Sequence, residues 1–125
     1  MKESEKIVSF AAGFAGYPLL EWLWRGHTHW SMAWAGGFAL LALFPCAKSK
    51  PLRFCLRAAL VITAIELLFG VVFNLILKAN VWDYSKVRGN LWGQICLPFA
   101  CLWFLLGVPI RWICKAINII CKDLD

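Results

Sequence analysis

Residues 58–77 read AALVITAIELLFGVVFNLIL, twenty positions whose only charge is Glu66. At 1.5 Å per residue a helix of that length is about 30 Å long, the thickness of a bilayer's hydrocarbon core. Weakly charged stretches flank it on both sides. Read together they predict spans at about 7–24, 28–47, 56–78 and 90–110, with a tail at 111–122, in one transmembrane domain over residues 1–125. The expected fold is all-α and integral to the membrane: an antiparallel four-transmembrane-helix bundle with a C-terminal basic amphipathic extension.

Composition supports the same reading. Hydrophobic residues make up 62% of the chain and charged residues 16%, where a soluble domain carries about 25% charged. Four spans use about 80 residues, which leaves no room for a nucleotide-binding domain, an extramembrane receptor or a disulfide-stapled module. The opening Lys2-Glu3-Ser4-Glu5-Lys6 carries both charge signs, and Leu20-Glu21-Trp22-Leu23-Trp24-Arg25 stands where a signal peptide would be cut. A cleavage site needs small residues there, so an uncleaved helical lead-in is expected.

Lys and Arg divide unevenly between the two sides. Lys2, Lys6, Lys48, Lys50, Arg53, Arg57, Arg111, Lys115 and Lys122 fall on one side, nine in all, against four on the other, Arg25, Lys78, Lys86 and Arg88. The excess marks the cytoplasmic face, which gives a multi-pass protein of the cytoplasmic membrane with both termini inside. The net charge of +6 then reports topology and attraction to anionic lipid, and no nucleic-acid partner is expected. In the tail, Arg111, Lys115, Asn118 and Lys122 share one helical face opposite Trp112, Ile113, Ile117 and Ile120. That pattern suits a helix lying on the inner surface or continuing the fourth span.

Because lipid is as apolar as a core, small and polar residues mark the faces that meet protein. Gly13, Tyr17 and Glu21 repeat at every fourth position, and Ser31, Ala35, Ala39, Ala42 and Cys46 form a small stripe beside Gly36 and Gly37. Thr63, Glu66, Gly70 and Asn74 line a third face, and Asn90, Gln94, Pro98 and Cys101 a fourth, where Pro98 predicts a kink. A carboxylate at mid-membrane costs at least about 2.5 kcal/mol, so Glu66 is expected to face the bundle or a wet cavity. Glu21, Asp83, Asn90 and Gln94 fall near the outer face above it, which suggests a polar funnel opening outward. Its acids are either functional or hydrogen-bond hubs. The candidate substrate-binding residues are Glu21, Glu66, Asn74, Asp83, Tyr84, Asn90, Gln94, His27 and His29.

No catalytic residue is assigned. His27 and His29 lack the third ligand and the H-E-x-x-H pattern of a zinc site and fit better in an aromatic belt with Trp24, Trp30, Trp82 and Trp92. The six cysteines form no C-x-x-C and read as small apolar residues. No phosphate-binding loop, dinucleotide fingerprint or nucleophile elbow is present, so no metal or cofactor is expected.

Trp82-Asp83-Tyr84-Ser85, then Asn90, Gly93, Ile95-Cys96-Leu97-Pro98-Phe99 and the run from Trp103 to Gly107, closely resemble the signature of the bacterial ABC-transporter permease family known as type IV or CmpB-like. Leu20-Glu21-Trp22-Leu23-Trp24, His29-Trp30-Ser31-Met32 leading to Gly36-Gly37, and Glu66 with Gly70 add to the likeness, which runs from about Gly16 to Gly107. The resemblance implies a small integral membrane protein with a permease-type transport role, and it singles out Asp83 and Asn90 with Glu21 and Glu66. Many family members carry further spans, so this chain resembles a minimal four-span version. The partners expected are membrane lipid, a second copy or another membrane subunit, and a separate ATPase. The alternatives are an accessory membrane subunit and an intramembrane enzyme acting on lipid head groups.

Overall fold

Helices start and stop where local chemistry directs. A computed structural model describes residues 1–124 as mostly helical, with α1 at Glu3–Arg25, α2 at Trp30–Leu43, α3 at Pro51–Phe69 and α4 at Leu97–Ile120. Gly26 ends α1 in the left-handed conformation (φ 79°), its N–H returning 2.7 Å to the Trp22 carbonyl, a conformation that glycine alone adopts without penalty. The His29 ring caps α2 by accepting from the Ser31 N–H at 3.2 Å. Pro51 and Pro98 occupy the first turns of α3 and α4, where the missing N–H costs nothing.

The start of the fourth expected span needs correction. The helix begins at Leu97, not Asn90, because residues 90–96 form a short antiparallel hairpin of β1 (Asn90–Leu91) and β2 (Ile95–Cys96). Gly89, Trp92 and Gly93 all have positive φ, which a continuing helix would forbid, so Asn90 and Gln94 lie outside the helix and Pro98 starts it rather than kinking it. At the other end Pro109 lies inside an unbroken helix to Ile120, so of the two expectations for the tail the structure has the one in which it continues the fourth helix. In α2 the buried positions are Ser31, Met32, Ala35, Gly36, Gly37, Leu40 and Leu43, while Ala42 of the expected stripe is exposed.

Two helices, Pro51–Ile76 with 26 residues and Leu97–Ile120 with 24, are long and apolar enough to cross a membrane. The first owes its length to a π-helical turn at Gly70–Ile76 that extends α3. The run Trp30–Cys46 is apolar but shorter.

The chain folds as two helical hairpins, α1 with α2 and α3 with α4, joined through α2 and α3, while α1 and α4 touch only lightly. Glycine sets both close crossings. A Cβ on Gly13 would run into the Gly36 carbonyl, and one on Gly36 into that of Gly13. A Cβ on Gly107 would come within 2.8 Å of the Cys55 Cα. One packed layer, with Leu43, Phe54, Ala58, Cys114 and Cys121 at its centre, lies at the end that holds the 44–50 connection and the chain's two ends. There Lys2 Nζ donates to the carbonyls of Cys121, Lys122 and Leu124, and Arg111 donates to that of Ser49. The six cysteines are free thiols, with Cys55, Cys114 and Cys121 fully packed.

Candidate functional site

At the opposite end, the connection between α3 and α4 folds over the gap between the two hairpins. Asn74, on the π-helical turn, ties it down: its Oδ1 accepts from the Val81 N–H at 2.7 Å and the Trp82 N–H at 3.4 Å, and its Nδ2 donates to Gln94 Oε1 at 2.8 Å. The Trp82 indole N–H donates to the Gln94 carbonyl at 2.8 Å, and Gln94 is 3% exposed. Gly70 is required beneath them, since a Cβ there would meet Gln94 Oε1 at 2.7 Å. Every polar group in this hub is matched, as burial demands.

Further along the connection, Asp83 Oδ1 accepts from the Ser85 N–H at 2.8 Å. Those Ser85 bonds, backbone first and hydroxyl second, hold the exposed Asp83 carboxyl below the usual carboxylate range. Asn90 donates to the carbonyls of Ser85 and Val87 and accepts from the Gly93 N–H at 3.0 Å. Tyr84 and Gly93 are joined by a 2.7 Å backbone bond. Asp83, Asn90 and Gly93 therefore shape the loop, and the residues they deliver are Trp82, Tyr84 and Gln94.

Tyr84 reaches Glu66. Its hydroxyl donates to Glu66 Oε2 at 3.1 Å, and the Trp103 indole N–H donates to Oε1 at 2.7 Å. Burial, then the Glu66 carboxyl, pushes the Tyr84 phenol far above its ordinary value, which keeps it a donor. Burial likewise raises the nearby Cys96 thiol and leaves it an unreactive packing group. Rings continue around the acid: Tyr84 stacks on Phe99 at 4.8 Å between centroids, Phe99 meets Trp103 at 5.9 Å, and Trp103 meets Tyr17 edge-on at 6.2 Å.

Two cavities meet at this acid. One of ≈220 Å³ opens toward the loop end, bordered by Glu21, Trp24 and Arg25 of α1 and by Tyr84, Phe99 and Trp103. The other, of ≈360 Å³, runs between the hairpins against Gly16, Ala39, Ile62 and Ile113. Tyr17, Met32, Glu66 and Trp82 border both. The result is an apolar groove on the α1–α4 side with the Glu66 carboxylate in its wall and Glu21 at its mouth. At its mouth Arg25 pairs with Glu21 at 3.2 Å and donates to the Val81 carbonyl at 3.3 Å, while Thr28 donates to Glu21 at 2.8 Å.

Of the residues singled out in the sequence, the structure brings Glu21, Glu66 and Tyr84 to the groove. Asn74 and Gln94 form the hub behind it, and Asp83 and Asn90 serve the loop. His29 is engaged with the Ser31 hydroxyl at 2.7 Å, and the exposed His27 borders neither cavity. Tyr17, Arg25, Phe99 and Trp103 belong to the site without having been marked as candidates. The signal for two of them is the four-residue spacing of Phe99, Trp103 and Gly107, which puts both rings on the face of α4 that meets α3.

Two long apolar helices and a carboxylate walled by aromatic rings define a small helical chain of membrane-protein character. Residues 25–124 match the family described as Putative ABC-transporter type IV, and the chain belongs to that family. It is thus related to ABC transporters, and the match together with the apolar helices points to a membrane protein. No curated protein and no solved structure matches the chain.

Proposed function

We propose that the chain is a permease-type transport component of the cytoplasmic membrane that crosses it four times with both termini inside. The groove between its two hairpins, with Glu66 in the wall, is its substrate site. The observation that carries this reading is the meeting of the two cavities at Glu66, where α1 and α4 make few contacts. A carboxylate placed in such surroundings is retained against a cost of several kcal/mol, and two packed hairpins with a weak seam are suited to part and close.

The orientation rests on the basic end. The chain's two ends and the 44–50 connection lie together, and nine of the thirteen Lys and Arg residues belong to that side. Four helices enclose little volume, so a second copy or another membrane subunit completes the pathway. With no phosphate-binding loop in the sequence, ATP hydrolysis falls to a separate ATPase. Glu21 and Tyr84 act at the mouth, and Asn74 and Gln94 keep the loop in place.

The test compares cells making the wild-type chain with cells making Glu66→Gln at equal amounts of folded protein, measuring small molecules in cells and medium by mass spectrometry. A transport component shifts the distribution of at least one compound in a Glu66-dependent way. Identical distributions would reject it in favour of an accessory subunit.

A further inference from the structure

We infer that the groove binds a lipophilic organic cation, a monovalent ammonium or phosphonium with apolar arms, with Glu66 as its counter-ion. This rests on the reading of the groove as a substrate site and names the class of substrate.

Charge comes first. The ionisable acid and base side chains bordering the upper cavity are Glu21, Glu66 and Arg25. Arg25 is paired with Glu21 at 3.2 Å, so with Glu66 ionised two carboxylates against one guanidinium leave one negative charge, on Glu66. Its partners in the protein are the Trp103 indole and the Tyr84 phenol, both neutral donors. A carboxylate offers about four acceptor positions, and two are taken here. The charge is thus fixed in direction by the fold and left without a cation.

The walls come second. Tyr17, Trp24, Trp82, Tyr84, Phe99 and Trp103 all border the same ≈220 Å³ space, and an aromatic face attracts a positive charge within about 6 Å of its centre. A small metal ion would need several oxygen ligands or its own water, which rings do not supply. An anion would be repelled by Glu66, and a neutral hydrocarbon would leave the carboxylate facing an apolar surface. An organic cation satisfies both the acid and the rings, and it needs no hydration shell.

The third observation is the adjoining ≈360 Å³ cavity, whose walls are almost wholly aliphatic and which shares Glu66 and Tyr17 with the first. It accepts hydrocarbon or aryl arms while the charge stays at the junction.

The experiment uses the full chain purified in a non-ionic detergent and titrated with tetraphenylphosphonium, followed by calorimetry. Tetraphenylborate, of the same shape and opposite charge, is the control. The expected result is saturable binding of the phosphonium, at least about tenfold weaker in Glu66→Gln and not reproduced by the borate. Equal binding of both ions, or unchanged affinity in Glu66→Gln, would overturn the inference. Trp24→Ala covers the case in which Glu66→Gln fails to fold, since Trp24 is 78% exposed and contributes only a ring at the mouth. It should weaken phosphonium binding about threefold, and an unchanged affinity would count against the aromatic site. Displacement of the phosphonium by an equimolar amount of phosphatidylethanolamine would assign the site to a lipid head group and overturn the free cation. The two proposals fail separately: a Glu66-dependent redistribution of uncharged compounds, without phosphonium binding, removes the cation and leaves transport standing.

Discussion

Glu66 takes hydrogen bonds from two different elements, Trp103 on α4 and Tyr84 on the loop, so one side chain couples three parts of the chain. Replacing Trp103 by Phe keeps the ring and removes the donor to Oε1. An acceptor left without its partner away from water costs about 1–3 kcal/mol. We expect Trp103→Phe to lower the unfolding temperature in detergent clearly, and to do so far less when Glu66 is already Leu. Equal losses in the two backgrounds would show that the indole matters through packing alone. Much of this scale was legible beforehand. A lone acid in an apolar run announces that it has partners, and Glu66 and Tyr84 were both marked. Trp103 was not, because an indole in an apolar helix reads the same whether its N–H meets lipid, water or a carboxylate thirty-seven positions away. For Asp83 and Asn90 the bonds observed run within the loop. Their polarity is spent on loop carbonyls and N–H groups, and short polar side chains bond locally as readily as they bind ligands.

Among the elements, α1 and α2 meet glycine on glycine. Gly13→Val would push a branched side chain into the Gly36 carbonyl, and overpacking of this kind costs about 1–3 kcal/mol. Gly16, one turn along the same helix, has nothing within 4 Å of a built Cβ. Gly16→Ala should therefore be neutral or mildly stabilising, while Gly13→Val loses several degrees in thermal unfolding. Similar losses from both would mean that the hairpin is not held by this crossing. The helices were readable from hydrophobic run length, and so was the contact face of Gly13, Tyr17 and Glu21. The start of α4 was not. Residues 89–96 contain Leu91, Trp92, Ile95 and Cys96 and are apolar enough to extend a helix. What forbids it is backbone sign at Gly89, Trp92 and Gly93, and for a tryptophan at φ 56° no sequence rule would anticipate it.

For the whole molecule, the two ends of the bundle carry opposite predictions. If the basic end is cytoplasmic, a cysteine at Lys86 in the α3–α4 connection should react with a membrane-impermeant maleimide in intact cells. Lys48→Cys should react only after permeabilisation, both variants being made in a chain whose six native cysteines are replaced by alanine. Both positions are exposed, so accessibility within the fold does not confuse the result, and the reverse pattern would invert the topology. That the chain is mostly helical, with long apolar helices, followed from composition. The pairing into two hairpins with a weak α1–α4 seam did not, because lipid-facing and protein-facing leucines look alike in a sequence.

The π-helical turn between Gly70 and Ile76 has one more consequence, which concerns phase. On an ordinary helix, residues four apart drift by about 40° per step, so Glu66, Gly70 and Asn74 would fan out around α3. A turn closed by bonds to the fifth residue, as from the Leu77 N–H to the Val72 carbonyl at 3.0 Å, takes in about one residue more and draws the drift back. Glu66 meeting Trp103, Gly70 lying under Gln94 and Asn74 bonding Gln94 are the result: acid, gap and amide stand in one column. In this stretch the count of residues is as constraining as their identity. Shortening it by one would restore a regular helix and swing Asn74 out of line with the loop that it anchors.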